Sequence, residues 1–108
     1  LAAVPDETLH ALLDDVDLEQ YTPYTLTDKT RLYRELRHVR RYGYAFDNQG
    51  NILGGCCLAA PVYNREKEVA AAISVSFLAS KATISYIRFL KRKVKAKAKE
   101  ISMHLGYL

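Results

Sequence analysis

The sequence predicts an α+β domain with helices packed on an antiparallel sheet, and three observations predict it. Ile87, Leu90, Val94, Ala98, Ile101 and Leu105 recur at intervals of three and four, the period of one helical face. Two runs of small and β-branched residues, about 56–63 and 68–77, flank the polar stretch Asn64-Arg65-Glu66-Lys67, as two strands flank a hairpin turn. The resulting order is helix, helix, strand, strand, strand, helix. It groups the strands together instead of alternating them with helices, as α+β domains do.

Each element has its own local cause. Pro5-Asp6-Glu7 opens the first helix, with Asp6 as the expected N-cap, and Leu9, Leu12 and Leu13 supply its apolar stripe. Asp14, Asp15 and Asp17 crowd the helix end, where the dipole disfavours anions, so the helix should stop near Asp15. Pro23 and the hydroxyls of residues 21–28 make that stretch a loop. Thr27 is the expected N-cap of a second helix over residues 28–41, with Leu32, Leu36 and Val39 on its apolar side and Gly43 as its C-terminal cap. Residues 43–47 read as a short strand and residues 47–51 as a turn-rich link. The two longer strands lack strong polar alternation, which suits a sheet covered on both faces. The last helix starts near Thr83 and runs to Leu105, with Gly106 placed to cap it.

A chain of 108 residues fits one domain, and 49% hydrophobic with 26% charged residues is ordinary globular usage. That composition argues against disorder, collagen-like structure and coiled coils. The longest apolar runs, such as residues 69–73, fall far short of the ~20 residues that cross a bilayer, and no basic-then-apolar signal opens the chain. Two cysteines, adjacent at Cys56 and Cys57, cannot build a disulfide framework, so a reducing cytoplasm is the expected location. The first residue is Leu1, as in a processed product or a piece of a larger protein.

The net charge of +4 is unevenly spread. Residues 81–104 carry eight basic side chains against one acid, Glu100, a net +7, which leaves −3 for the rest. Such a stripe attracts phosphates by counterion release, so a nucleic-acid-binding module built on the last helix is the alternative function. The same stripe also serves as a solvated face, and no row of stacking aromatics interleaves its lysines.

Other chemistry finds less support. His10, His38 and His104 fall on three different helices, with no Cys-x-x-Cys or His-x-x-x-His spacing, so no metal site is expected. Neighbouring strand residues point to opposite faces, so the cysteine pair is a poor chelate. Cys57 as a nucleophile would need a histidine within reach; small strand cysteines usually serve as packing. The strand alternation is more informative. Gly55, Cys57, Ala59 and Pro61 share one face of their strand, while Ala70, Ala72, Ser74 and Ser76 share one face of the next. Where the two faces coincide, small groups leave a concavity whose hydroxyls orient a polar ligand, or they admit a closely packed helix.

These segments also carry a family likeness. Tyr42-Gly43-Tyr44-Ala45, Gly54-Gly55-Cys56-Cys57-Leu58-Ala59-Ala60-Pro61-Val62-Tyr63, Ala71-Ala72-Ile73-Ser74-Val75-Ser76 and Glu100-Ile101-Ser102-Met103-His104-Leu105-Gly106-Tyr107 follow in order. Together with the Tyr21-to-Asp28 loop, they resemble the C-terminal effector-binding domain of the IclR family of bacterial transcription regulators, nearly end to end. The resemblance implies a GAF-like (profilin-like) sensor fold and no enzymatic activity. It implies a pocket for a small organic effector, a carboxylate or aromatic metabolite, with Cys57, Ser74 and Ser76 at its floor beside Ala59, and Cys56 facing away. It implies no cofactor. It further implies homodimers or homotetramers, and operator DNA bound through a separate N-terminal winged helix-turn-helix. By the same comparison, the opening strands and helix of the domain precede Leu1, and Gln49 stands where the family often has glutamate.

Overall fold

A computed structural model of the chain describes residues 1–107. Its elements are α1 (Asp6–Asp14), α2 (Lys29–Tyr42), β1 (Ala45–Asn48), β2 (Gly55–Tyr63), β3 (Val69–Leu78), a short 3-10 turn (Ala79–Lys81) and α3 (Ile84–His104). The order is the expected one. The three strands form one antiparallel sheet, β1-β2-β3, with β2 in the centre.

β2 is the spine of the fold. Along it, Cys56, Leu58, Ala60 and Val62 are buried and the residues between them half-buried. The buried set faces α3, whose Val94 and Ala98 pack on Ala60 and Val62, with Ile73, Val75 and Ile101 around them. Two alanines meeting across this interface, Ala60 and Ala98, bring helix and sheet close together. The register between β2 and β3 shifts between Val62 and Tyr63. There the Tyr63 amide donates to Ser102 Oγ at 2.9 Å, and the Ser102 hydroxyl donates to the Ala98 carbonyl at 2.8 Å. A fully buried serine in the apolar stripe of α3 is thus the partner of a backbone group that the irregular ladder leaves over.

The helix ends correct two expectations. α1 begins at Asp6 itself, after Pro5 and without a side-chain cap. Asp6 instead pairs with Arg40 at 3.2 Å, a use that removes it from capping. Asp28, not Thr27, caps α2, accepting the Thr30 amide at 2.9 Å. A carboxylate one position on does the same work with a stronger acceptor. Gly43 closes α2 in the left-handed region (φ 76°), its amide bonded to the Val39 carbonyl at 2.8 Å. Thr83 caps α3 through the Tyr86 amide, and Gly106 follows its end at φ 92°. Leu12 is exposed, so only Leu9 and Leu13 of the first stripe are buried.

A third correction concerns coverage. The sheet is sealed on the α3 face alone. On the other face Ser74, Ser76 and Ala72 of β3 are exposed, and only α2 and the N-terminal residues reach over one end. Small apolar residues on an open face erase the period-two contrast that would have announced it.

Candidate functional site

The open face is built by register. Cys57 pairs with Asp47 on β1 and Ser76 on β3; Ala59 pairs with Ala45 and Ser74; Pro61 pairs with Ala72. Residues paired across antiparallel strands point to the same side. Cys57, Ala59, Ser74 and Ser76 therefore form a contiguous block, two rows by two strands, bordered by the Asp47 carboxylate. Cys57 and Ala59 are half-buried and both serines exposed.

An apolar cavity of about 260 Å³ lies at the far end of this face. Ala45, Ala59, Pro61 and Ala72 floor it, Leu36 and Val39 of α2 wall it, and Leu1 to Ala3 close its rim. Arg40 holds that rim, donating to the Ala2 carbonyl at 2.7 Å and the Val4 carbonyl at 2.9 Å while pairing with Asp6. Of the four residues expected at the pocket floor, only Ala59 lines the cavity. Cys57, Ser74 and Ser76 continue the same surface outside it. α2 extends over the Ala45–Pro61 end and not over the serines, which is why the two parts separate. Among the described residues no helix covers Ser74 and Ser76, so close helix packing does not account for those two small residues.

The two thiols have opposite surroundings. Cys56 is buried on the α3 side, its Sγ donating to Asn48 Oδ1 at 3.4 Å. Burial pushes its thiol above the ordinary value, with the Asp47 charge adding to the rise. Cys57 Sγ has its weak contact, 3.9 Å, with the Leu58 carbonyl. His10 packs on Tyr33 and His38 on Tyr42 and Tyr44. Among the described residues no three metal-ligating side chains converge.

The residues sequence reasoning missed lie where the loop before α2 meets the β1–β2 turn, at the end of the sheet away from the cavity. Thr22 is buried, and its hydroxyl donates to the Gln49 carbonyl. Thr25 Oγ1 donates to the Gly50 carbonyl and accepts the Tyr21 and Thr22 amides at 3.0 and 2.9 Å. The loop over residues 21–28 is thus knotted to the β1–β2 turn. Gln49 sits in that turn in the left-handed region (φ 63°), its Oε1 accepting the Gly54 amide at 3.0 Å. Its side chain bridges the turn, a role that a glutamate carboxylate fills equally. The pair of threonines three apart was the available signal; its partner 27 residues away was not.

The sequence matches the family of the bacterial transcriptional regulator IclR C-terminal domain over residues 1–103. The chain belongs to this IclR family. It is 36% identical over 107 residues to the uncharacterised HTH-type transcriptional regulator RhmR of Escherichia coli, covering 99% of this chain and 41% of RhmR. The IclR of Thermotoga maritima superposes with a TM-score of 0.91 at 39% identity, over 98% of this chain and 43% of that one. At 24% identity and a TM-score of 0.86, the fold is shared with a double mutant of the PobR inducer-binding domain from Acinetobacter, solved with 3-hydroxybenzoic acid, over 94% of this chain and 58% of that one. The chain therefore has the GAF-like fold of IclR effector-binding domains and spans less than half the length of RhmR. Its relatives are transcription regulators. Among the described residues no helix is long and apolar enough to cross a membrane.

Proposed function

We propose that this chain is the effector-binding portion of an IclR-type regulator. It takes up a small organic carboxylate or aromatic acid on the open sheet face and so alters operator binding by a winged helix-turn-helix domain of the same protein, working as a homodimer or homotetramer. The observation that carries this reading is the junction of the hydroxyl-bearing block with the apolar cavity. Ser74 and Ser76 supply donors for a carboxylate. Ala45, Ala59, Pro61 and Ala72 leave room for a flat apolar body. Cys57 lies beneath the polar end as a small, polarisable contact.

The cavity gives a route to signalling. Its walls come from the sheet, from α2 and from the N-terminal residues, and Arg40 ties the last two together by side-chain hydrogen bonds. A ligand that fits one arrangement of these walls better than another shifts the equilibrium between them by that difference in affinity.

Thermal melting against a panel of small carboxylates and aromatic acids tests this. A ligand at about 100 times its Kd adds about 2.7 kcal/mol. The stabilisation should vanish in Ser76→Ala and in Ala59→Leu, which fills the cavity floor. A ligand response that both variants retain moves the site elsewhere; no response from any member of the panel removes the reading.

A further inference from the structure

Five of the seven lysines and arginines of α3 share one flank. At about 100° per residue, Arg88, Lys91, Arg92, Lys95 and Lys99 fall within an arc of about 100°, beside the apolar face that meets the sheet. Lys93, Lys97 and Glu100 fall on the opposite flank, where Lys97 and Glu100 pair at 3.1 Å. The ion pairs among the described residues are that one and Arg40–Asp6. Among the described residues, no carboxylate forms an ion pair with the five-residue stripe.

The stripe is also shaped and held. Arg88, Lys91 and Arg92 line a shallow cleft with Ser85. Lys95 and Lys99 line a second, separate one with Tyr63, Ser102 and Tyr107. Lys91 and Lys95 lie over the Tyr44 ring at 4.9 and 5.9 Å, which restrains both ammonium groups on the surface. Tyr44 follows directly on Gly43, the left-handed residue (φ 76°) that closes α2.

From Arg88 to Lys99 the axial rise is about 16 Å, so the five cations stand on average about 4 Å apart along the axis. One strand of duplex DNA has one phosphate per about 3.4 Å of axis. We propose that this flank of α3 docks on the DNA backbone, giving the effector-binding domain a sequence-independent contact of its own, separate from base reading by any other domain. Duplex binding needs no stacking aromatics, and a rigid straight helix suits a duplex better than a flexible single strand. This proposal stands independently of the effector pocket, which lies on the other side of the sheet.

The test is fluorescence anisotropy of residues 1–108 with a labelled duplex of arbitrary sequence, over a series of salt concentrations. Five contacts predict a slope of about −4.5 in log K against log salt, a loss of roughly 500-fold between 50 and 200 mM. Arg88→Glu/Arg92→Glu should lower the affinity at least tenfold and reduce the slope by about 2. Lys93→Glu/Lys97→Glu alters net charge by the same amount on the other flank and should leave both nearly unchanged. Equal losses from the two pairs would reduce the effect to diffuse charge and overturn the proposal. So would the absence of duplex binding at low salt, or binding to phosphatidylserine vesicles without binding to the duplex.

Discussion

The two faces of β2 are made from one stretch of chain and have opposite fates. Cys56, Leu58, Ala60 and Val62 are buried under α3, whereas Gly55, Cys57, Ala59 and Pro61 look onto an open surface. Alternate residues of one strand therefore answer to different demands: close packing on one side, shape and hydroxyl chemistry on the other. A substitution's effect should depend on the parity of its position more than on its chemistry.

The largest expected effect tests that parity directly. Leu58→Ala removes a side chain that is 1% exposed, and should cost about 3 kcal/mol, lowering Tm by roughly 10 °C or more. Cys57→Ser, one residue away on the open face, should change stability by less than about 0.5 kcal/mol. Comparable losses in calorimetry would erase the distinction between the faces.

Ser102→Ala comes next. It strands the Tyr63 amide at the register shift and should cost about 1–3 kcal/mol, read by urea denaturation. Gly43→Ala forces a side chain into the left-handed region at φ 76° and should cost about 1–2 kcal/mol; an unaltered midpoint would mean that α2 ends differently.

The smallest effects sharpen the contrast between the cysteines. Native protein should react with a thiol reagent at Cys57 first and at Cys56 only through opening, since Cys56 is 2% exposed. The Cys56 thiol is raised in the folded state, so its neutral form is favoured there. The stability this confers is present in full below the ordinary thiol value of about 9 and is lost as pH rises through it toward the higher native value. Removing this group with Cys56→Ala should flatten the fall in Tm at alkaline pH.

Much of this was legible in the sequence. The order of elements, the hairpin turn at Asn64 to Lys67 and the Gly43 cap followed from periodicity and turn chemistry, which are local; alternation set Cys56 and Cys57 on opposite faces, and only the family resemblance implied which of them faces the pocket. The open face was not legible, because small residues read alike whether they sit under a helix or beside an empty surface. Asp6 and Thr27 were misassigned because capping competes with tertiary ion pairs and with a better acceptor next door. Ser102 was hidden because its purpose depends on a register shift 39 residues earlier. The site's parts could be placed on one face by alternation, but the split between cavity and hydroxyl block depends on how far α2 reaches.

The knot at the rim of the sheet has a mechanical consequence. Thr22 holds the Gln49 carbonyl, Gln49 holds the Gly54 amide, and the Gly54 carbonyl accepts the amide of Ala79, the first residue of the 3-10 turn, at 2.8 Å. These bonds run in series like links of a hoop, so slack at one reaches the others. The amides of Gly54 and Ala79 should then exchange with solvent as one cooperative unit, and a Thr22→Val change, 57 residues from Ala79 along the chain, should loosen both together.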